Sequence, residues 1–236
     1  MKEYRYLIFD LDDTLLDFQD NERKSLEIIF KKYNIPFNEQ SFNQYKTINR
    51  KFWNGIEEGT IEKEKALTKR FEEFFYLYGY NINGEIVEKE YQECLTKGHK
   101  VIPNAIEILK ELRFRGYKIF AGTNGVGNTQ NKRLKDSKMI DLFDDIFISE
   151  EMGVEKPSLK FFQMIFDKYD YMKKEETLMI GDSLASDIKG ANNFGIDCVW
   201  FNPYKKISEK QLPTYEISSL NELIEILKGV SNRALK

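Results

Sequence analysis

A chain of 236 residues, 41% hydrophobic and 32% charged, can bury a full core as one domain or as a domain with an insertion. Its 36 basic and 39 acidic residues give a formal net charge of -3 without a long basic block, so we expect no nucleic-acid polymer as a partner. No apolar stretch reaches the roughly 18 residues of a membrane span, and the N-terminus lacks the apolar segment of a signal peptide; we therefore expect a cytoplasmic protein without a membrane partner.

The first predicted element is a buried strand, Tyr6-Leu7-Ile8-Phe9, which is followed at once by Asp10-Leu11-Asp12-Asp13-Thr14. Ligands of open α/β sheets bind beyond the carboxyl ends of the strands, so acids at this point are placed for chemistry. Asp10 and Asp12 are two residues apart and would point to the same side of an extended segment. Such a pair can share a divalent metal while one carboxylate attacks and the other moves protons. The structural alternative is an Asp-rich turn that only caps the chain.

A long helical region follows, from about Asp20 to His99, rich in aromatic residues and poor in strand signals. Apolar residues recur in it at helical spacing. Breaks at Asn34-Ile35-Pro36, Gly59-Thr60 and Gly79-Tyr80-Asn81 divide it into about four elements. The region therefore predicts an inserted helical bundle whose aromatic residues form its core.

From Pro103 onward the pattern alternates between strands and helices, which predicts a Rossmann-like parallel sheet with helices on both faces. The fold class is thus α/β, with a core of residues 1–16 and 103–236 and an inserted helical domain of residues 17–102. Predicted elements are helix 105–115, strands 117–121 and 146–148, helix 159–169, strand 177–180, helix 184–194 and strand 198–201. The sequence Ser219-Leu220-Asn221-Glu222 is a capping box for a last helix, and we expect the tail from Ser231 to fray.

Polar clusters follow the later strands as well, and in a parallel sheet they would meet in one crevice. Thr123 and Asn124 lie in a glycine-flanked turn whose backbone N–H groups can approach an anion. Lys156 precedes Pro157, which suits a first helical turn, and its ammonium could neutralise charge beside a phosphate. Taken singly, the first cluster is also an ordinary turn, and the lysine is also an ordinary solvated side chain.

Two more carboxylates, Asp182 and Asp187, follow the strand that ends at Ile180. Asp182 could reach a metal held by Asp10 and the backbone carbonyl of Asp12, which gives the oxygen-rich coordination that Mg²⁺ prefers. Asp187, one turn into the helix, could orient metal-bound water. Helix capping by Asp182 is the structural alternative, but capping alone does not explain acids at two strand ends.

Cysteine and histidine chemistry is not indicated. The two cysteines, Cys94 and Cys198, lie far apart in no metal-ligand spacing, and His99 is the single histidine. Zinc and a histidine-based triad are therefore not expected, and either cysteine is better explained as buried filler.

Together these residues resemble the haloacid dehalogenase-like superfamily of aspartate-nucleophile hydrolases. The chain is similar to its four motifs in order, and these are Asp10 to Thr14, Thr123-Asn124, Lys156-Pro157, and Gly181-Asp182 with Asp187. The resemblance implies a phosphorylated nucleophile at Asp10 and a general acid and then base at Asp12. It also implies phosphate binding by Thr123, Asn124 and Lys156. It further implies Mg²⁺ held by Asp10, the Asp12 carbonyl and Asp182, and a helical cap hinged near residues 16–18 and 102.

An aspartate at position 12 favours phosphatase or phosphomutase chemistry over dehalogenation, because it can protonate a leaving alcohol and then activate water. The cap is expected to close over the crevice and select the substrate. Its segment Phe42 to Phe75 resembles that of the YjjG-type pyrimidine 5'-nucleotidases, a group within the superfamily. This resemblance implies a 5'-nucleotidase acting on (deoxy)pyrimidine nucleoside monophosphates. The sequence implies no partner beyond small molecules and a metal, and no protein partner. Four cap residues are candidate substrate contacts, namely Phe18, Asn49, Trp53 and Arg70.

Two alternatives stay open. The first keeps the chemistry and changes the substrate to a sugar phosphate or phosphoglycolate, or makes the protein a phosphomutase. The second is a non-catalytic protein that uses the same fold for nucleotide sensing or partner binding. The set of Asp10, Asp12, Lys156 and Asp182 favours an enzyme, because the fold alone does not require these residues.

Overall fold

The computed structural model describes residues 3–208 and 212–228. In this part of the chain, six parallel strands form one sheet in the order β3-β2-β1-β4-β5-β6. The strands are β1 (Tyr6–Phe9), β2 (Lys118–Thr123), β3 (Asp145–Ile148), β4 (Thr177–Gly181), β5 (Asp197–Phe201) and β6 (Tyr215–Ile217). Phe9, the last residue of β1, pairs with Ala121 of β2 and Ile180 of β4. The polar segments that follow these three strands therefore begin at the same edge of the sheet.

Helices precede and follow these strands along the chain. Their bounds are α1 (Phe18–Lys32), α2 (Glu39–Glu57), α3 (Lys63–Tyr76), α4 (Gly84–Leu95), α5 (Ala105–Phe114), α6 (Gly127–Asp136), α7 (Ser149–Met152), α8 (Leu159–Lys168), α9 (Lys189–Phe194) and α10 (Glu222–Leu227). A single π-helical turn, Leu184–Ile188, leads into α9. Short 3₁₀ turns at Ile140–Leu142 and Lys174–Glu176 precede β3 and β4.

The sheet is buried on both faces, and alternate residues of each strand serve opposite faces. In β1, Leu7 and Phe9 pack with α5, α6 and α10, whereas Ile8 packs with α8 and α9. The same alternation holds in β4, where Leu178 and Ile180 face one cluster and Met179 the other. The predicted fold, a parallel sheet with helices on both faces, is confirmed.

The chain divides into two compact units. One consists of the segment up to Asp17 together with the residues from Lys100 onward, and the other is Phe18–His99. Where the chain leaves and re-enters the first unit, Leu16 forms an antiparallel bridge with Val101. The Asp17 N–H donates to the Lys100 carbonyl at 2.9 Å, and the two side chains form an ion pair at 2.7 Å. The two connecting segments thus run side by side.

The second unit is a bundle of α1 to α4 with an aromatic core. Phe30 of α1 stacks on Phe74 of α3 at 4.7 Å between ring centroids, and the fully buried Tyr45 of α2 lies edge-on to Phe74. Asn38 caps α2 through a capping box with Ser41. The aromatic residues of the insertion therefore provide its hydrophobic core, as predicted from their helical spacing.

Several local predictions need correction. Pro157 lies before Ser158, the N-cap of α8, so it is outside the helix. The predicted helix 184–194 begins as a π-turn, and α6 and β6 were not predicted. Only half of the last capping box forms, because Glu222 accepts the Ser219 backbone N–H while the Glu222 N–H donates to the Ser219 carbonyl and not to its hydroxyl. The predicted fraying from Ser231 falls outside the described residues.

None of the helices within the described ranges is long and apolar enough to cross a membrane.

Candidate active site

Lys156 is the centre of a buried polar cluster at the carboxyl edge of the sheet. Its ammonium donates to Asp10 Oδ1 and Asp187 Oδ1, each at 2.7 Å, and to the Gly122 carbonyl at 2.5 Å. The lysine side chain is only 1% exposed. A buried ammonium requires such compensation, and the three acceptors match its three N–H donors. The contacts join residues that follow β1, end β2 and follow β4, so they depend on the parallel order of these strands.

The cluster has three carboxyl groups for one ammonium, so negative charge is in excess. Asp10, Asp182 and Asp187 each place an oxygen within 4.8 Å of the others. Burial raises the pKa of Asp10 to about 8; Lys156 opposes this rise, and the negative charges of Asp187 and Asp12 add to it. Burial, then the charges of Asp10 and Asp187, also raises the pKa of Asp182 well above its ordinary value. A divalent cation would supply the missing positive charge, and an all-oxygen donor set fits Mg²⁺.

The excess negative charge predicts an unusual effect for Asp182→Asn in the metal-free protein. Because the folded-state pKa of Asp182 is raised, its carboxyl lowers stability as pH rises through that pKa. In chelator at pH 8, we expect the variant to melt roughly 2–4 °C above the unsubstituted protein, which is the shift that about 1 kcal/mol produces at this size. The gain should vanish near pH 4. In Mg²⁺ the order should reverse, because only the unsubstituted protein has the full carboxylate set.

Thermal melts with and without Mg²⁺ at both pH values test this prediction. Asp170→Asn, a change at an exposed carboxyl, is the matched control and should not alter the pH dependence. An Asp182→Asn protein that melts lower at pH 8 in chelator and still gains stability from Mg²⁺ would contradict the assignment of excess charge to this cluster.

Asp187 is fully buried and is held from two sides. Its Oδ1 accepts from Lys156, and its Oδ2 accepts the Ser183 backbone N–H at 3.1 Å. Gly181 makes this approach possible, because a Cβ there would lie 2.2 Å from Asp187 Oδ2. The π-turn places Asp187 beside the end of β4, where it orients the lysine.

The segment after β2 provides two kinds of polar group. Asn124 pairs reciprocally with the backbone of Lys156, since its amide donates to the Lys156 carbonyl at 2.8 Å and accepts the Lys156 N–H at 2.9 Å. Thr123 Oγ1 accepts from the Gly125 N–H at 3.2 Å and from Gln130 Nε2 at 2.9 Å. With both lone pairs used, the threonine hydroxyl has its proton left to donate.

Asp12 contacts a different set of residues from Asp10. Arg133 Nη1 donates to Asp12 Oδ1 at 2.5 Å, and Gln130 Nε2 donates to Asp12 Oδ2 at 2.8 Å. The sequence interpretation missed both partners, because α6 itself was not predicted. Their spacing was the available signal, since residues three apart share one face of a helix that directly follows the Thr123-Asn124 turn.

Of the four candidate residues of the helical insertion, Arg70 and Asn49 belong to one polar network, and Phe18 and Trp53 do not. Arg70 is buried and donates to Glu88 at 2.6 Å and to Asn49 Oδ1 at 2.7 Å. Asn49 in turn donates to Glu22 at 3.2 Å, so both residues belong to a polar network inside the bundle. Phe18 packs against the aromatic core. Trp53 is half-buried and lies one turn beyond Asn49 on α2.

Comparison with known proteins agrees with this geometry. A family model for the haloacid dehalogenase-like hydrolases matches residues 7–201. The chain belongs to this family. The match runs from β1 through the helical insertion to β5, so it includes every candidate site residue, and the resemblance predicted from the four motifs is confirmed.

Within the family, similarity extends over nearly the whole chain. The chain is 41% identical over 228 residues to the HAD-hydrolase YfnB from Bacillus subtilis. The aligned region covers 96% of this chain and 97% of YfnB. A crystal structure of YfnB bound to magnesium has a TM-score of 0.91 and covers 96% of this chain and 99% of that one. The pyrimidine 5'-nucleotidase PynA from Streptococcus pneumoniae is 35% identical, covering 95% of each chain. The pyrimidine 5'-nucleotidase YjjG from Escherichia coli is 29% identical, covering 95% of this chain and 98% of YjjG.

Proposed function

We propose that this protein is a Mg²⁺-dependent phosphomonoester hydrolase that works through a phosphoaspartate on Asp10. The observation that carries the proposal is the cluster in which a buried lysine and three carboxylates meet at the carboxyl edge of the sheet. Its excess negative charge suits a divalent cation, and the lysine suits an anionic substrate beside an attacking carboxylate. Family membership supports the same chemistry.

In the first half of the proposed reaction, Asp10 attacks the phosphorus atom of the substrate. A bond forms between an Asp10 carboxylate oxygen and phosphorus, and the bond from phosphorus to the ester oxygen breaks. Asp12 gives its proton to that oxygen, so the alcohol leaves neutral. The Thr123 hydroxyl donates a hydrogen bond to a phosphoryl oxygen, and Lys156 neutralises negative charge on the phosphoryl group. Asn124 fixes the backbone that carries the lysine.

In the second half, water attacks the phosphorus atom of the phosphoaspartate. Asp12, now a carboxylate, takes the proton of that water, and the bond from Asp10 to phosphorus breaks to release inorganic phosphate. The side chains of Asp10 and Asp182 and the carbonyl of Asp12 would hold Mg²⁺. When bound, the ion offsets the negative charges of the phosphoryl group and of these carboxylates. Asp187 keeps Lys156 in place through both halves.

For the substrate, we propose pyrimidine nucleoside 5'-monophosphates. Support comes from PynA and YjjG, two relatives named pyrimidine 5'-nucleotidases that match almost the full length of this chain. The experiment is phosphate release from a panel of nucleoside monophosphates and sugar phosphates, each with Mg²⁺ and with chelator. Mg²⁺-dependent release concentrated on pyrimidine nucleotides is the expected result. Preference for a sugar phosphate would keep the chemistry and reject the nucleotidase, and no release from any ester would favour the non-catalytic alternative.

We further propose that Trp53 of the helical unit stacks on the pyrimidine base, and that Phe18, Asn49 and Arg70 support the substrate or the residues around it. Arg70 and Asn49 are already engaged with each other inside the bundle, so the half-buried Trp53 is the sharpest test. Trp53→Ala should lower kcat/KM on the preferred nucleotide by about 10-fold or more, since stacking on a base contributes about 1–3 kcal/mol. The rate on a small sugar phosphate should change little.

The ratio of the two rates is the measurement for Trp53. Tyr76→Ala removes an aromatic ring that is 77% exposed on α3 and serves as the matched control. A Trp53→Ala protein that loses stability but keeps the nucleotide-to-sugar ratio would assign the ring to packing alone.

A further inference from the structure

We infer that Gln130 and Arg133 of α6 are positioning residues that hold the general acid and base Asp12 and orient the phosphate donor Thr123. The inference deepens the proposed function and rests on it. Neither residue belongs to the four motifs, and their side chains donate to Asp12, to Thr123 and from one to the other. Their effect would reach the reaction only through Asp12 and Thr123.

The two residues together hold both oxygens of the Asp12 carboxylate. Arg133 Nη1 donates to Oδ1 at 2.5 Å and Gln130 Nε2 donates to Oδ2 at 2.8 Å. Rotation of the carboxylate about its Cβ–Cγ bond would therefore break a hydrogen bond. The Asp12 side chain keeps 28% of its surface exposed, whereas Arg133 is 1% exposed. The donors therefore hold the carboxylate on its buried side and leave its other side open.

Arg133 also fixes which way the Gln130 amide faces. Arg133 Nη1 donates to Gln130 Oε1 at 2.7 Å, so the amide oxygen faces the arginine. The amide nitrogen must then face the other way, where it donates to Asp12 and also to Thr123 Oγ1 at 2.9 Å. One amide thus connects the segments after β1 and β2, and the arginine determines its orientation.

The same hydrogen bonds also orient the hydroxyl proton of Thr123. Its hydroxyl oxygen accepts from Gln130 and from the Gly125 N–H, so its proton is directed toward a third partner. Without the Gln130 donor, the hydroxyl oxygen would keep only the hydrogen bond from the Gly125 N–H, and its proton could turn to another direction. Gln130 therefore couples the orientation of the phosphate donor to that of the acid.

Packing alone does not account for these side chains. The neighbouring Leu134 already supplies a fully buried apolar contact from α6 to the core. Burying a guanidinium and an amide costs free energy that an aliphatic side chain would not. A cost of this kind is expected where the polar groups set the geometry of reacting residues.

Gln130→Glu is the main test, because it keeps the side-chain size and replaces the amide donor with an oxygen that faces the Asp12 carboxylate. Gln130→Met, which has no polar end, serves as the second variant should the added charge impair folding. Lys132→Gln, at an exposed position on the same helix, is the matched control. Thermal melts with and without Mg²⁺ show that each protein folds and binds the ion.

Kinetics should separate positioning from a general structural defect. On a nucleoside monophosphate, whose leaving alcohol needs a proton, we expect kcat to fall by about 10²-fold with KM changed less than threefold, a loss at the lower end of general acid–base contributions. On p-nitrophenyl phosphate, whose leaving group needs no proton, only the altered orientation of Thr123 should slow the first turnover, which should stay within about fivefold of the unsubstituted rate. Later turnovers should be slow, giving a burst of one p-nitrophenol per enzyme.

Equal slowing of the first turnover on both esters would overturn the inference, as would rates matching those of Lys132→Gln. Crystal structures of the unsubstituted and Gln130→Glu proteins give a readout that does not depend on activity. We expect the Asp12 carboxylate to turn away from position 130 in the variant, and an unchanged Asp12 would overturn the inference. If the unsubstituted protein hydrolyses no phosphate ester, the proposed function fails, and the positioning role of Gln130 in the reaction fails with it. If that protein is active and Gln130→Glu behaves as the control, only the positioning role fails.

Discussion

Asp10→Asn is expected to reduce phosphate release by at least about 10⁴-fold, since loss of a covalent nucleophile removes the reaction path itself. The asparagine amide is nearly isosteric, so Lys156 can still donate to an oxygen at this position, and the sheet should remain intact. Relief of the unfavourable charge that raises the pKa of Asp10 to about 8 should even stabilise the metal-free variant at that pH. Activity and stability are thus expected to move in opposite directions.

Two measurements check this prediction. Steady-state phosphate release gives the loss of turnover, and brief exposure to ³²P-labelled substrate followed by acid quenching should label the unsubstituted protein and leave Asp10→Asn unlabelled. Asp170→Asn, a surface change of the same chemistry, should retain both rate and label. An Asp10→Asn protein with the full rate would disprove the phosphoaspartate mechanism.

The strand ends were predictable because they follow from a simple topological rule. Apolar runs that end in acids, placed in a parallel sheet, bring their acids to one edge, and Asp10 and Asp182 do meet there. Lys156 is different, because a helix separates it from the preceding strand, and one lysine among 36 basic residues carries no signal of its own. Only the resemblance to a family motif indicated it. Its position next to Asp10 depends on contacts between segments that are distant in the chain.

The partners of side chains were the least predictable part of the site. The resemblance predicts phosphate binding by Asn124, which stays a prediction, whereas the pairing of its amide with the backbone of Lys156 was not foreseen. Gln130 and Arg133 were not identified at all, because the helix that carries them has few apolar residues and no side-chain N-cap. When the buried face of a helix is apolar, apolar residues that recur at helical spacing reveal that face. They do not reveal a face buried through an arginine and a glutamine.

Lys156→Met is expected to destabilise the protein by about 3–5 kcal/mol at pH 8, because it leaves Asp10 and Asp187 buried without their cation. At this chain size the corresponding drop in melting temperature is roughly 6–20 °C. We also expect kcat to fall by about 10²–10³-fold, the cost of removing one preorganised charge from a transition state. Lys160→Met, at an exposed position on α8, should change neither quantity.

The pH dependence of this loss distinguishes charge compensation from simple packing. Without the lysine, the folded-state pKa of Asp10 should rise further above its unfolded value, so the variant loses stability as pH rises through the neutral range. The deficit should therefore be large at pH 8 and small near pH 4, well below the folded-state pKa of Asp10. Adding Asp187→Asn should recover part of the stability at pH 8, because one uncompensated charge is then absent. A deficit that is the same at both pH values, and that the second substitution does not relieve, would mean that Lys156 stabilises the fold through its aliphatic chain and not through its charge.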